Sequence, residues 1–426
     1  MLQKLIQRRL EKYVVKYFKK HPEVKLIVVA GSVGKTSTKR AIATLLAEKY
    51  RIAMEEGNHN THLSAPLAIL GIEYPDNVKN IGAWLRVFAA ARTRIRRPST
   101  TDIIIQELGT DHPGDIAQFA SYLRPAIAVV TAVAPEHMEF FETIEKVAEE
   151  ELAAANMADM AIINRDDIDG RFATFLTNGN LTTYGTTAAA EYRFEIDDFT
   201  LEDGYKGEVI ATGYAEPFLA NIKLMGEHSL RPAMAGVAVA AKLGLVPEEI
   251  KAGLAKLRAV PGRMNMLRGI EGSLIIDDTY NSSPIAAASA LQTLYGIQAP
   301  QRIAILGDMR ELGASSADEH TRLGQLCDPS LLSWVITVGD DTEAYLAPAA
   351  RARGCQVKSF KSALEAGAFA HSVMEPGSVV LAKGSQNTIF LEEAVKVLCV
   401  MSADDELVRQ SPRWMEIKDK FFSKFA

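Results

Sequence analysis

Cysteine is scarce. The 426 residues hold three, Cys327, Cys355 and Cys399, far apart and without a C-x-x-C pair. That excludes a disulfide framework and a cysteine-based zinc site, and it suits a reducing compartment. No apolar run approaches the ~18 residues of a membrane span. The basic, interrupted N-terminus is unlike a secretory leader. The expectation is therefore a cytoplasmic protein. There is no basic surplus either: net charge is -6 and the pI about 5.9, the opposite of a general nucleic-acid binder. Internal repeats and low-complexity tracts are missing. With 48% hydrophobic residues, two to three cores of ~150 residues each are expected.

Strand-like and helix-like stretches alternate. Residues 2–20 read as an amphipathic helix with Leu2, Leu5, Ile6, Tyr13 and Tyr17 on one face. Strands are expected at 25–30, 102–106, 126–133 and 161–164, with helices between them. Residues 183–224 read as a small antiparallel sheet, followed by helices at 230–243 and 247–258. After a Pro261-Gly262 hinge, strands at 273–277, 302–307, 334–339 and 378–383 form a second α/β unit. The predicted fold class is α/β: a P-loop central domain with a parallel wound sheet plus a small antiparallel sheet, then a Rossmann-like C-terminal domain. The expected boundaries are a helix over 1–20, a central domain over 21–262 and a C-terminal domain with a helical tail over 263–426.

The sharpest local signal runs from Ala30 to Thr38, AGSVGKTST, between a predicted strand and a predicted helix. Gly31 and Gly34 permit a tight turn whose amides, with those of Ser32 and Ser37, face a phosphate at a helix N-terminus. Lys35 is placed to reach outer phosphates, and the Thr36 hydroxyl to hold Mg²⁺. The strict pattern begins with Gly, and Val29 stands there instead. No guanine-reading N-K-x-D sequence is present, so ATP is the expected nucleotide.

Further short motifs follow in a fixed order. They are Gly57-Asn58-His59-Asn60 with Pro66, Glu107-Leu108-Gly109 with Pro113-Gly114-Asp115-Ile116, His137-Met138-Glu139, and Gly226-Glu227-His228. Then come Pro261-Gly262-Arg263, Asp277-Asp278-Thr279-Tyr280-Asn281 with Pro284, Gly307-Asp308-Met309 with Glu311-Leu312-Gly313, and Lys383-Gly384-Ser385. Each is weak alone. In this order, from about residue 25 to 395, they resemble the Mur ligase family, and most closely its D-alanyl-D-alanine-adding members.

The resemblance implies an ATP-dependent amide ligase of peptidoglycan synthesis working through an acyl phosphate. Its substrates would be a carboxylate such as a UDP-muramoyl peptide and an amine such as D-alanyl-D-alanine. By the same resemblance, Glu107 completes the first Mg²⁺ site with Thr36, and His137 ligates a second. His137 alone also reads as a surface loop histidine. Arg263 would reach a phosphate and Asp278 the ribose, with Asn281 close by. One member of the Asp277–Asp278 pair would serve only a strand-end turn. His228 precedes Ser229 where the family has Asn, which leaves its adenine contact open.

Three departures stand out. Glu151 occupies the position of a lysine that most members carry as a carbamate, on a helical face shared with Ile144, Val147, Ala148 and Ala155, while Glu149 and Glu150 are expected to point elsewhere. Either Glu151 supplies the carbamate's oxygen to the metal, or it is tolerated at a weakened site. Thr61 and Ser64 replace an Asn and a Gly near the acyl substrate. The N-terminal UDP-sugar-gripping domain is not recognised. These departures keep a second class open, a nucleotide-binding partner subunit that does not ligate, alongside folylpolyglutamate synthase-like ligases. The basic, aromatic stretches 4–20, 84–97 and 414–425 read as helices packed on the body, with contact to an anionic membrane surface as the alternative. The oligomeric state is not legible.

Overall fold

The computed structural model describes residues 2–425, except Glu56, Asn58, Asp76, Lys79, Leu201, Glu202, Met225, 386–388 and 402–405, and except the side chain of Leu2. Asn58 of the Gly57–Asn60 motif and the Leu2 side chain thus lie outside the described residues. The chain divides into two compact units, Met1–Leu224 with Ser229–Leu257, and Met225–His228 with Arg258–Ala426.

The first unit is built on nine strands: β1 (Lys25–Ala30), β2 (Ile52–Met54), β3 (Ile103–Glu107), β4 (Ile127–Val130), β5 (Met160–Asn164), β6 (Leu181–Gly185), β7 (Tyr192–Thr200), β8 (Gly204–Ala211) and β9 (Phe218–Ile222). Their order is β2-β3-β1-β4-β5-β6-β7-β8-β9. Pairing is parallel through β7 and antiparallel from β7 to β9, so the antiparallel strands extend the parallel sheet. β1, β3 and β4 are mostly buried runs of Ile, Val and Ala because both sheet faces are covered there.

One face is covered by the helices Leu2–Lys20, Ala65–Leu70, Ile81–Arg96, Asp115–Ala120 and Ile144–Asn156. The other is covered by Lys35–Leu46, Leu230–Lys242 and Pro247–Ala255. In the first helix the inward stripe is Ile6, Leu10, Tyr13, Val14 and Tyr17. Leu5, expected on that stripe, is 58% exposed. The stripe runs at i, i+4, i+7, i+8 and i+11 from Ile6, which turns Leu5 about 100° away.

The basic aromatic stretches 4–20 and 84–97 bury Tyr13, Tyr17, Trp84 and Phe88. Tyr13 meets Phe88 with ring centroids 6.1 Å apart, and Arg9 lies 4.6 Å over the Phe88 ring. Arg92 Nε donates to the Tyr13 hydroxyl (3.2 Å). Among the described residues no helix is long and apolar enough to cross a membrane.

The second unit holds β10 (Asn265–Arg268), β11 (Leu274–Asp278), β12 (Arg302–Gly307), β13 (Trp334–Val338), β14 (Val357–Phe360) and β15 (Val379–Lys383), in the order β10-β11-β15-β12-β13-β14. Only β10 runs antiparallel. The register sets Asp278 beside Lys383 at the ends of β11 and β15. A terminal helix, Pro412–Phe422, lies on Phe390, whose ring centroid is 5.2 Å from that of Phe421.

Candidate functional site

In the first unit the chain runs from β3, on one side of β1, to β4 on the other. The carboxyl ends of these three strands therefore open a crevice at the point where strand order reverses, the usual ligand position in such sheets. The Gly31–Lys35 turn fills that point. Gly31 has φ 122°, and a Cβ there would lie 2.8 Å from the Ala132 amide nitrogen, so only glycine fits. Gly34, at φ 87°, opens the helix Lys35–Leu46. Thr131, just beyond β4, fastens the turn by donating to Val33 O (2.6 Å). Ser32 N donates to Ala132 O (3.0 Å), and Ser32 Oγ accepts from Ala134 N (3.0 Å).

Lys35 points back over its own turn, its ammonium on Gly31 O and, at 3.4 Å, on Ser32 O. The Thr36 hydroxyl donates to Glu107 Oε2 (3.0 Å), and Asn60 Nδ2 donates to Oε1 (3.2 Å). Lys39, one helical turn on, is buried with its ammonium 3.7 Å from Glu107 and bonded to Glu55 O (2.9 Å) and Gly57 O (3.1 Å). Burial pulls the Lys39 ammonium below its ordinary pKa, against the pull of Glu107 and Glu55. A hydroxyl and a carboxylate oxygen beside a phosphate-shaped turn form an oxygen donor set that fits Mg²⁺.

Glu151 is 1% exposed. Its Oε2 accepts from the Gly31 amide (2.6 Å) and its Oε1 from the Thr110 hydroxyl (2.7 Å). Burial pushes its carboxyl up to about 8, Lys35 pulls the other way, and the neighbouring Glu136 carboxyl adds to the rise. Glu151 is thus a strut between the phosphate turn and the segment after β3. The neighbouring Glu150 points elsewhere, as expected, and is buried too. It accepts from Gly114 N (2.8 Å) and Ile116 N (2.6 Å), satisfying the free amides that open the helix Asp115–Ala120.

His137 sits in a left-handed turn (φ 47°), its Nε2 3.5 Å from Asp111 Oδ1. Among the described residues no three His, Cys, Asp or Glu side chains gather as a metal-holding group. The Glu151 carboxylate is turned toward the phosphate loop. Thr61 and Ser64 bond each other (Oγ to Oγ 2.9 Å) ahead of the helix Ala65–Leu70.

In the second unit Asp277 is the turn residue. It accepts from Gly262 N (3.0 Å) and from Thr279, and burial raises its carboxyl to about 6. Asp278 accepts from Met264 N (3.2 Å) and pairs with Lys383 (2.6 Å), and Lys383 also donates to Asn281 O (3.0 Å). The Pro261-Gly262 turn is pinned by these bonds. The Arg263 guanidinium lies 4.2 Å over the Tyr280 ring. His228 follows the same unit, in a short 3-10 turn over Glu227–Ser229. Ser385 Oγ donates to Ser282 O (3.1 Å), so the Lys383–Ser385 turn supports the loop after β11.

Sequence reasoning missed Lys39, on the helix after the phosphate turn, and Thr110, Asp111, Glu136 and Thr131, brought in by sheet topology. For Lys39 one signal existed: a lysine four residues after Lys35 lies on the same helical face.

Two family descriptions match in tandem, the Mur ligase middle domain over residues 29–240 and the Mur ligase, glutamate ligase domain over residues 262–386. The UDP-N-acetylmuramoyl-tripeptide–D-alanyl-D-alanine ligase of Bacillus subtilis is 28% identical over 321 residues, covering 74% of this chain. The chain spans 63% of that relative's length. Two solved structures share the fold. MurF from Acinetobacter baumannii has a TM-score of 0.74 and 22% identity, over 91% of this chain and 79% of that one. MurF ligase from Thermotoga maritima in complex with ADP has 0.71 and 23%, over 99% and 85%. The two domain matches, in this order and on these two sheets, establish that the chain belongs to the Mur ligase family.

Proposed function

We propose that the protein is an ATP-dependent amide ligase that joins a carboxylate to an amine through an acyl phosphate. The observation that carries this is the Gly31–Thr36 turn at the crevice, with the Thr36 hydroxyl 3.0 Å from the Glu107 carboxylate. Phosphoryl transfer needs charge neutralised and oxygens positioned more than covalent help. Lys35 provides a mobile cation: its ammonium leaves Gly31 O and Ser32 O for the outer phosphate oxygens. Thr36 and Glu107 would hold Mg²⁺, which neutralises phosphate charge when bound. Lys39 and Asn60 keep Glu107 aimed at Thr36. The substrate carboxylate oxygen attacks the γ-phosphorus and ADP leaves. The amine then attacks the acyl carbon, phosphate leaves, and the nitrogen loses a proton.

In the second unit Arg263, Asp278 and Asn281 serve the nucleotide in this proposal, with His228 beside them. His137 and Asp111 face the reacting groups. The substrates proposed are a muramoyl-peptide-type carboxylate and D-alanyl-D-alanine or a similar amine, in the cytoplasm. The relatives' names and the order of the motifs support this choice. The test is phosphate release from Mg·ATP, screened with muramoyl peptides and dipeptides in pairs. Release that depends on both partners supports a ligase. Nucleotide binding with no amine-dependent release would make the chain a binding subunit, and no affinity for Mg·ATP would sink both.

A further inference from the structure

The segment after residue 386 lies beyond the matched family descriptions, yet it reaches back to the loop after β11. Arg409 has its side chain 7% exposed and grips Glu392 with both arms of the guanidinium, Nε to Oε1 at 2.8 Å and Nη2 to Oε2 at 2.7 Å. The same guanidinium donates to Tyr280 O (3.1 Å, Nη1) and Thr279 O (2.7 Å, Nη2). Lys418, 1% exposed, closes the cluster on Glu392 (2.9 Å) and Glu393 (2.6 Å). Two buried carboxylates are thus matched by two buried cations, and one of those cations spends its remaining donors on two backbone carbonyls. A planar fork can do both at once and an ammonium cannot.

Those carbonyls belong to the loop Thr279–Asn281. Its other ties include Thr279 N and Oγ1 to Asp277 Oδ1 (3.3 and 2.5 Å), Tyr280 N to Gly262 O (2.9 Å) and Lys383 to Asn281 O (3.0 Å). The Tyr280 ring carries the Arg263 guanidinium on it at 4.2 Å. We infer that Arg409 is a positioning residue for nucleotide binding. It fixes the Thr279–Tyr280 peptide, Tyr280 carries Arg263, and Asn281 follows in the same loop. This rests on the proposal above that Arg263 and Asn281 serve the nucleotide. The tail is then part of the nucleotide machinery and not only a cap on the second sheet.

The test is Mg·ATP affinity by isothermal titration calorimetry on the full chain, which needs no knowledge of the other substrates. Arg409→Lys keeps a cation for Glu392 and loses the fork. It is expected to weaken Mg·ATP binding five- to fifty-fold while the protein stays folded by circular dichroism. Lys418→Met is the control. It breaks the same carboxylate cluster without touching Thr279 or Tyr280, and it is expected to lower the melting temperature with affinity unchanged within about threefold. Arg409→Lys with native affinity overturns the inference. So does equal weakening in both variants, because general loosening would then account for it. Arg263→Ala tests the underlying proposal separately. If it binds normally while Arg409→Lys does not, Arg409 keeps its role through Asn281 and Arg263 is removed from the site. Should Arg409→Lys fail to fold, Arg409→Met, which removes the donors to both carbonyls and leaves Glu392 paired with Lys418, is measured in its place against the same control and by the same criteria.

Discussion

Replacing Glu151 by glutamine separates a strut from a metal ligand. Burial, with the neighbouring Glu136 carboxyl, pushes the Glu151 carboxyl up to about 8, which favours its protonated form at neutral pH. A glutamine reproduces that form. Its carbonyl oxygen accepts from the Gly31 amide, and its amide group donates toward Glu136 and the Thr110 hydroxyl oxygen. Glu151→Gln should therefore fold within about 1 kcal/mol of the parent and bind Mg·ATP within about threefold. Glu151→Ala strands the buried Gly31 N–H and the Thr110 hydroxyl. Each unmet group costs about 1–3 kcal/mol, and a trapped water recovers part of it. The net loss should be roughly 2–4 kcal/mol, or roughly 5–15 °C in melting temperature for a unit this size. The assays are differential scanning calorimetry and calorimetric titration with Mg·ATP, then phosphate release once the substrates are known. If Glu151→Gln stays folded but loses turnover a hundredfold or more, residue 151 must bear a charge. Recovery of Glu151→Lys in bicarbonate would then favour the metal-ligand role.

Lys35→Ala should abolish turnover, and Glu107→Gln should raise the Mg²⁺ concentration for half-maximal activity at least tenfold; a magnesium titration of phosphate release checks both. Asp277 is raised from 3.8 to about 6, so the folded state holds a proton that the unfolded chain gives up. Its contribution is intact below pH ~4 and is lost as pH rises through about 6, a change of about 3 kcal/mol. Asp277→Asn should flatten that slope in urea denaturation run from pH 4 to 7. Leu10→Ala, at a fully buried position, should cost about 2–5 kcal/mol by the same method, whereas Leu5→Ala should cost under about 0.5 kcal/mol.

The sheet strands and the phosphate turn were legible because their signals are local. KLIVVA is too apolar for anything but a covered strand, and GKTST after it leaves little else to form. β10 and β14 escaped notice because four residues of mixed polarity carry no period. Leu5 was misplaced because Leu5 and Ile6 are adjacent and the apolar pattern alone admits either as the start of the inward stripe. The burial of Glu150 was not legible because helical phase shows which way a side chain leaves the axis, not whether two open amides await it there. Glu136, Thr110 and Arg409 reach their partners across 15, 41 and 129 residues of chain, distances over which no spacing rule operates.

In the proposed ligase, Lys39 joins two places that must both be occupied before reaction. It rises from the helix that starts at the phosphate turn, and it holds Glu55 O and Gly57 O, next to the segment whose motif faces the acyl substrate by resemblance. In the proposed ligase, a shift of that helix on nucleotide binding would be carried to Glu55 and Gly57 through one buried ammonium, and the reverse would hold equally. The two ligands should therefore bind with reciprocal cooperativity, each tightening the other by the same factor. Cutting the tether would leave two independent sites and an enzyme prone to idle hydrolysis.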